Sequence, residues 1–413
     1  MTFNKINLCF SAAALSLVFS GPFVCAQESA TDQLSSVITD GSVALDLRYR
    51  YEYVDEDGFD KSARASLLRT RVTIKSGTLG PVSALMEVDN VSALGSENYN
   101  STENGKIEYP TIADPEGTAF NQAWLRYSAK DLDATVGRQR IVLDRGRFIG
   151  AKPWRQNEQT YDAARLQWSG LSGFTIDASY ANQVSRVFGP GDGINPADWH
   201  GDSAFLRVNY DLAEDHNIAA YAYLLEVDSQ RGFSAAKTVN NSSDTFGLAY
   251  TGSFSELSIL ARFATQTESG DSELDYQASY YVVELAAPFG PVNVKAAYEV
   301  LGADNGVGFG TPLANGHGVQ GWADKFLATP GDGIKDAWVS VGGKLGSVAL
   351  LARYHDFSAE SSSVDFGREI DLQAQWTINE WLTATAKAAV FETDEPGRYP
   401  DTTKAWLTLQ LRL

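Results

Sequence analysis

The stretch GRQRIVLDRGRFIG, from Gly137 to Gly150, holds four arginines and one acid in a chain whose formal net charge is −19. Guanidinium groups stay charged at any working pH and grip carboxylates and phosphates with two parallel N–H donors. A file of them therefore points either to contact with anions or to bracing against the chain's own acids. The first half of the stretch reads as a strand, and on a strand Arg138 and Arg140 share one face. The second half leads into Arg145, Arg147, Lys152, Trp154 and Arg155. Four cations beside one large ring could line a narrow passage, the ring stacking on a sugar or covering apolar surface. The same residues could equally form an exposed polar loop held by its aromatics.

Other chemistries find little support. The chain has four histidines, His200, His216, His317 and His355, and neither a G-x-S-x-G nor an H-E-x-x-H motif. His355 and Asp356 are adjacent, but neighbours on a strand point to opposite faces and would not act together. No enzyme activity and no cofactor are expected. The acidic runs Asp55-Glu56-Asp57-Gly58 and Glu392-Thr393-Asp394-Glu395 offer oxygen ligands for calcium, without EF-hand spacing. They read better as solvated charge that divalent cations of lipopolysaccharide could bridge, so no metal site is expected. The acidic balance also argues against a nucleic-acid partner.

The elements that would position these groups begin after residue 26. Lys5, the apolar run Asn7 to Phe19 and the small residues of Val24-Cys25-Ala26 form a signal-peptide pattern over residues 1–26. Both cysteines, Cys9 and Cys25, fall inside it, so the mature chain has no disulfide and no thiolate metal site. A short periplasmic lead follows over 27–42, and then 43–413 repeats one pattern. Segments of roughly ten residues alternate apolar and polar, separated by glycine, proline or acidic links. VALDLRYRYEY, Val43 to Tyr53, is the clearest: Leu45, Leu47, Tyr49, Tyr51 and Tyr53 on one side, Asp46, Arg48, Arg50 and Glu52 on the other.

We count about 18 such strands, with links that alternate short and long, as in a transmembrane antiparallel β-barrel with short periplasmic turns and long extracellular loops. A soluble sandwich also alternates. The aromatic ends of many apolar rows, the missing cysteines and the terminal row Leu407, Leu409, Leu411, Leu413 favour the barrel. That row resembles the C-terminal signal read by the outer-membrane assembly machinery, apart from a final leucine where an aromatic is usual. The expected location is a Gram-negative outer membrane, in contact with lipid and lipopolysaccharide.

A barrel sorts charge. Arg or Lys facing lipid at the midplane costs roughly 2–4 kcal/mol, so the charged rows must face the lumen. That assigns Arg48, Arg50, Arg69, Arg71, Arg126, Arg138, Arg140, Arg165, Arg207 and Arg262 to the inner wall, with Lys295, Arg353 and Lys387. Inward acids are fewer, among them Asp46, Glu52, Glu87, Asp89, Asp177, Glu284, Glu299, Glu369 and Asp371. A net basic lumen implies passage of anions such as organic acids or acidic oligosaccharides. Pairing between these groups could also simply brace the wall. Residues Asp144–Gln159 form the third long link, the one that general porins fold inward, and this places Arg145, Arg147, Lys152, Trp154 and Arg155 as candidates for a constriction.

GRQRIVLDRGRFIG followed by WRQNEQTYDAARL resembles the alginate-export-type outer-membrane porins, and so does FGTPLANGHGVQGWADKFLATPGDGIKDAW, from Phe309 to Trp338. The resemblance implies an 18-stranded barrel with a basic lumen. It implies Arg138 and Arg140 as wall contacts for anions, and places Trp322, Asp324, Lys325 and Phe326 in a folded plug or lid. It also raises the alternative of a dedicated export channel for an anionic exopolysaccharide such as alginate. An adhesin or an outer-membrane hydrolase is the weaker reading.

Overall fold

In the computed structural model, residues 37–413 are described, apart from Ser96. The signal-peptide segment 1–26 and most of the 27–42 lead lie outside the described residues. Eighteen antiparallel strands form one sheet. The first strand, Ser42–Glu56, pairs on one side with Ala63–Lys75 and on the other with the last, Thr402–Arg412, so the sheet closes into a barrel. Closure removes the edge that an open sheet would leave unpaired in lipid.

Alternation along the strands does the sorting. In Ser42–Glu56 the positions of Arg48, Arg50, Glu52 and Val54 are buried, while Val43 at the strand's start is 71% exposed. Leu248 at 62%, Val136 at 57% and Ile370 at 51% exposure belong to the outer apolar band, which lipid covers. The inner face carries polar and aromatic side chains instead. Tyr161, Tyr221, Tyr223 and Tyr280 belong to this buried inner face rather than to an outer girdle. Tyr221, Tyr223 and Tyr280 pack around Phe148 of the third long link.

Short turns and long links alternate as expected. Residues 255–256 form one of the short turns, between Ser243–Phe254 and Leu257–Glu268, where Ser255 takes the left-handed conformation that turns the chain. A further link, residues 359–364, joins Val348–Ser358 to Asp365–Thr377. The longest link, residues 302–333, contains a small hairpin of Ala303–Asp304 with Val307–Gly308. This link and residues 140–159 fold into the barrel. Their Ile141, Phe148, Ile149, Phe309, Leu313, Trp322 and Phe326 join inward side chains of the wall in one continuous buried cluster. A smaller cluster of Val54, Leu67, Val91, Tyr99 and Ile112 fixes the link of residues 94–116.

Candidate functional site

The first two strands place Arg48 directly opposite Arg69. Like charges facing each other across a ladder repel, so each needs relief. Arg69 finds it in Asp46 at 3.0 Å, and Arg71 in Asp89 at 2.6 Å and Glu158 at 2.9 Å. Arg48 and Arg50 find none of that kind: among the described residues neither forms an ion pair. Arg48 donates to the carbonyls of Pro153, at 2.8 Å, and Arg155, and to Gln156 Oε1 at 2.9 Å. Arg50 donates to the Trp154 carbonyl at 2.6 Å and stacks its guanidinium 4.0 Å from that ring. These two cations hold the inward link by its backbone, and no carboxylate among the described residues pairs with them directly. A cavity of about 280 Å³ lies beside them. Five cations line it, Arg48, Arg50, Arg69, Arg71 and Arg412, against Asp46 and Glu158.

Glu158 is the acid on which the inward link turns. It receives Arg71, and Arg140 Nε at 2.5 Å. Burial alone would raise its carboxyl, but Arg71, Arg140 and Arg69 override that and hold it at about 2. Asp144 plays the matching part at the start of the link. It accepts from Arg207 at 3.1 Å and from Tyr223, with Arg262 at 3.9 Å. Neither acid stood out in the sequence, although both lie in or just beyond the arginine stretch. A lone acid among arginines was the available signal.

The two inward links are fastened to each other. Gly150 N–H donates to Leu313 O at 2.9 Å, and Asn315 N–H to Gly146 O at 2.8 Å. The Asn315 side-chain oxygen accepts from the N–H groups of Ala151 and Lys152 at 3.1 and 3.0 Å. This approach explains the glycines of the motif: a Cβ on Gly146 or Gly150 would come within 2.2–2.3 Å of the Asn315 amide. Below this junction Trp154 stacks on His317, ring centres 4.1 Å apart and planes 6° from parallel. Burial drives His317 down to about 3 in spite of Asp324, so the imidazole is neutral. It can then donate from Nδ1 to Asp324, at 2.9 Å, and accept at Nε2 from Lys387, at 2.7 Å. Lys387 Nζ also lies 3.6 Å from the Trp322 ring centre and 3.9 Å from that of Trp154. Asp324 further accepts from Arg155 and Lys404, both at 3.1 Å. Burial opposes its ionisation, but Lys404, His317 and Arg155 outweigh that and keep it well below the usual carboxylate range.

The structure thus brings the Trp322-Asp324-Lys325-Phe326 segment against the wall at several points. Glu369 accepts the backbone N–H groups of Trp322 and Ala323. Lys325 pairs with Glu56 at 2.9 Å, and Phe326 packs on Phe357, Phe366, Phe391 and Tyr399. Of the constriction candidates, Lys152, Trp154 and Arg155 stand between two cavities. Lys152 and Arg155 line the one on the long-link side, Trp154 the one on the short-turn side. Arg145 is 67% exposed and 3.6 Å from Glu284. Arg147 lies apart: it is buried, with Nε 2.7 Å from Glu299, and braces the link instead of lining a passage.

On the inner wall, Arg126 donates to Thr135 at 3.1 Å, Arg165 pairs with Asp177 at 2.5 Å, and Arg207 and Arg262 converge on Asp144. Arg138 departs from its expected place. Thr135 and Gln139 of Leu132–Gln139 are buried and Val136 is exposed, so Arg138 shares the outward parity of Val136. It pairs there with Asp162 on the next strand, two contacts of 2.7 Å. The strand ends at Gln139, and Arg140, past that end, reaches inward to Glu87 and Glu158. Strand parity does not extend across a strand's end, so Arg138 and Arg140 do not share a face. Among the described residues no group of three or more His, Cys, Asp or Glu is placed to hold a metal ion.

The sequence profile described as "Alginate export" matches residues 40–284. Comparison with curated proteins finds no match. Among solved structures, the chain is similar to OccK3 (OpdO) of Pseudomonas aeruginosa, with a TM-score of 0.68 at 14% identity, covering 93% of this chain and 98% of that one. OccAB4 of Acinetobacter baumannii gives 0.69 at 12% identity, covering 90% and 98%. OccK9 (OpdG) of P. aeruginosa gives 0.67 at 16% identity, covering 92% and 100%. At these identities the likeness is one of fold.

Proposed function

The chain belongs to the alginate export family, as an outer-membrane porin barrel, and on that premise we propose that it passes anionic solutes by diffusion through a lumen whose free charge is positive. One observation carries this reading. The cavities on the two sides of residues 152–155 are each lined by five cations against two carboxylates. A field of one sign in a low-dielectric cleft concentrates ions of the other sign. Most wall arginines are already paired, so the free charge rests on a few: Arg48 and Arg50 on the short-turn side, Lys152 and Arg186 on the long-link side.

No chemical step is involved. Guanidiniums lower the barrier for a carboxylate, and acids set among them, Asp46 and Glu158, keep any one site from holding it too long. Organic acids and acidic sugars such as uronates are the expected cargo. The test is the reversal potential of single channels in planar bilayers under a KCl gradient. Anion preference is expected, together with faster uptake of a sugar acid than of a neutral sugar of equal size into proteoliposomes. Cation preference would overturn the reading. A dedicated channel for an anionic polymer is the second reading, favoured by the family match. It predicts that a uronate polymer blocks the current at concentrations where the monomer does not.

A further inference from the structure

The cavity on the long-link side, about 760 Å³, has an unusual charge account. Its five cations are Lys152, Arg155, Arg186, Lys325 and Lys404, and its two carboxylates Glu56 and Asp324 are already engaged. Glu56 holds Lys325 at 2.9 Å, and Asp324 holds Arg155 and Lys404 at 3.1 Å each. Lys152 and Arg186 are left over. Lys152 donates only to backbone carbonyls, those of Pro312, at 3.2 Å, and Ala314. Arg186 donates to the Pro196 carbonyl at 3.0 Å, its guanidinium 3.9 Å from the Trp199 ring centre and 4.6 Å from that of Phe188. Neither forms an ion pair among the described residues. Lys237, on a third link, ties to Asn195 Oδ1 at 2.5 Å and adds to the same field.

Both leftover cations resent their position. Burial lowers Lys152 to about 7, with Arg186 adding to the effect, and burial lowers Arg186 to about 9. A cation half-withdrawn from water without a counter-charge costs stability, and a fold that keeps two of them beside a cavity has left room for a charge from outside. Next to Arg186 the apolar surface open to the cavity is that of Ile194, 51% exposed, and the half-buried Phe188, while Val187 and Trp199 are buried and the Trp199 ring is covered by the guanidinium.

We propose that this vestibule is a docking site for a small organic monoanion, its single carboxylate set between Lys152 and Arg186 and its flat apolar body against Phe188 and Ile194. The inference rests on the anion-channel reading and narrows it. It places a capture step at the long-link mouth, and it favours carboxylates with an aromatic or alicyclic body over hydroxyl-covered uronates. A carboxylate seated there also restores the full charge of Lys152, so binding and protonation support each other.

The test uses the full barrel in planar bilayers with 3-phenylpropanoate and galacturonate as probes. Added to the long-link side, phenylpropanoate is expected to interrupt the current at concentrations about tenfold or more below those needed from the short-turn side, and below those for galacturonate. Arg186→Gln is expected to raise the half-blocking concentration about tenfold or more, the scale of one charge-assisted hydrogen bond. Arg186→Lys, which keeps the charge and loses the planar fork, should fall between. Equal block from both sides, equal block by galacturonate, or an Arg186→Gln channel that behaves as wild type would each overturn the proposal. The comparison of sides needs no variant, so it decides even if Arg186→Gln fails to fold. Cation preference in the wild-type channel would instead sink the parent reading.

Discussion

Replacing Arg50 by glutamine removes a guanidinium that lines the 280 Å³ cavity and forms no ion pair among the described residues. An ion passing about 8 Å from that charge feels roughly 1 kcal/mol, taking an effective dielectric near 20 and a Debye length of about 10 Å. Anions lose that attraction and cations lose an equal repulsion, so the anion-to-cation permeability ratio can fall by at most about thirtyfold. Arg48, Arg69, Arg71 and Arg412 remain in the same cavity and share the field, so a fall of about three- to tenfold is expected. The assay is the single-channel reversal potential under a KCl gradient, read beside Arg138→Gln. Arg138 sits on the outward face, held by Asp162 through two contacts of 2.7 Å, and its loss should leave the reversal potential where it was. If Arg138→Gln shifts selectivity as far as Arg50→Gln, or Arg50→Gln shifts nothing, the assignment of free charge to the inner wall is wrong.

Three further outcomes follow from the same geometry. Trp154→Ala removes the ring that stacks on His317 and separates the cavities, and single-channel conductance should rise by about half or more while the folded barrel persists, since the local loss of about 3–5 kcal/mol falls on the link. Glu158→Gln strips Arg71 and Arg140 of a shared partner: anion preference should rise, and limited proteolysis within residues 140–159 should speed up, because breaking a buried pair costs about 3–5 kcal/mol. In the wild type that contribution is present above the unfolded carboxyl value and lost as pH falls toward about 2, so the link should stay fastened at any pH a cell meets. Lys152, lowered to about 7 by burial and by Arg186, is charged below that value and neutral above it. Block from the long-link side by an organic acid should therefore weaken between pH 6 and 8, and the titration should vanish in Lys152→Gln.

Much of the barrel was legible because lipid and lumen impose opposite demands on alternate residues, and that period survives in the sequence. The rows of Arg48 and Arg50, Arg69 and Arg71, Arg165, Arg207 and Arg262 lie on the strand face opposite the exposed apolar row. Arg138 misled because its strand is short and ends one residue later, at Gln139. The polar row Asp133, Thr135 and Gln139 was the better guide to the inner face, and it excludes Arg138. Gly137 marks the irregularity: its φ is +113°, and a Cβ there would lie 2.3 Å from the Ala123 carbonyl. The inward link stood out as a patch of cations and a tryptophan. Its fastening did not. Asn315 sits about 160 residues from the backbone it holds, and nothing local in an asparagine announces a distant pair of N–H groups. Arg186 was passed over for a related reason. Its importance lies in what is absent around it, and a sequence shows neighbours along the chain, not the lack of a carboxylate across a cavity.

A net charge of −19 and a cation-rich lumen are compatible because the two act over different distances. Some of the excess acid gathers at the long-link ends of neighbouring strands. Glu226 is raised by partial burial and then by Asp202, Asp228, Asp271 and Asp244. An anion arriving from outside meets such a rim first, in water, where the field fades over about 8 Å at physiological salt. The cavities are different. Their walls are protein, counter-ions have little room, and the surplus of cations over acids acts on an ion at contact range. Selectivity then follows the few groups that pairing leaves free. Total arginine count does not decide it, since Arg69, Arg71, Arg140, Arg147 and Arg165 each spend their charge on a carboxylate within 3.1 Å. The barrel's many arginines hold the links in place, and Arg48, Arg50, Lys152 and Arg186, whose partners are neutral, carry the charge that no ion pair takes up.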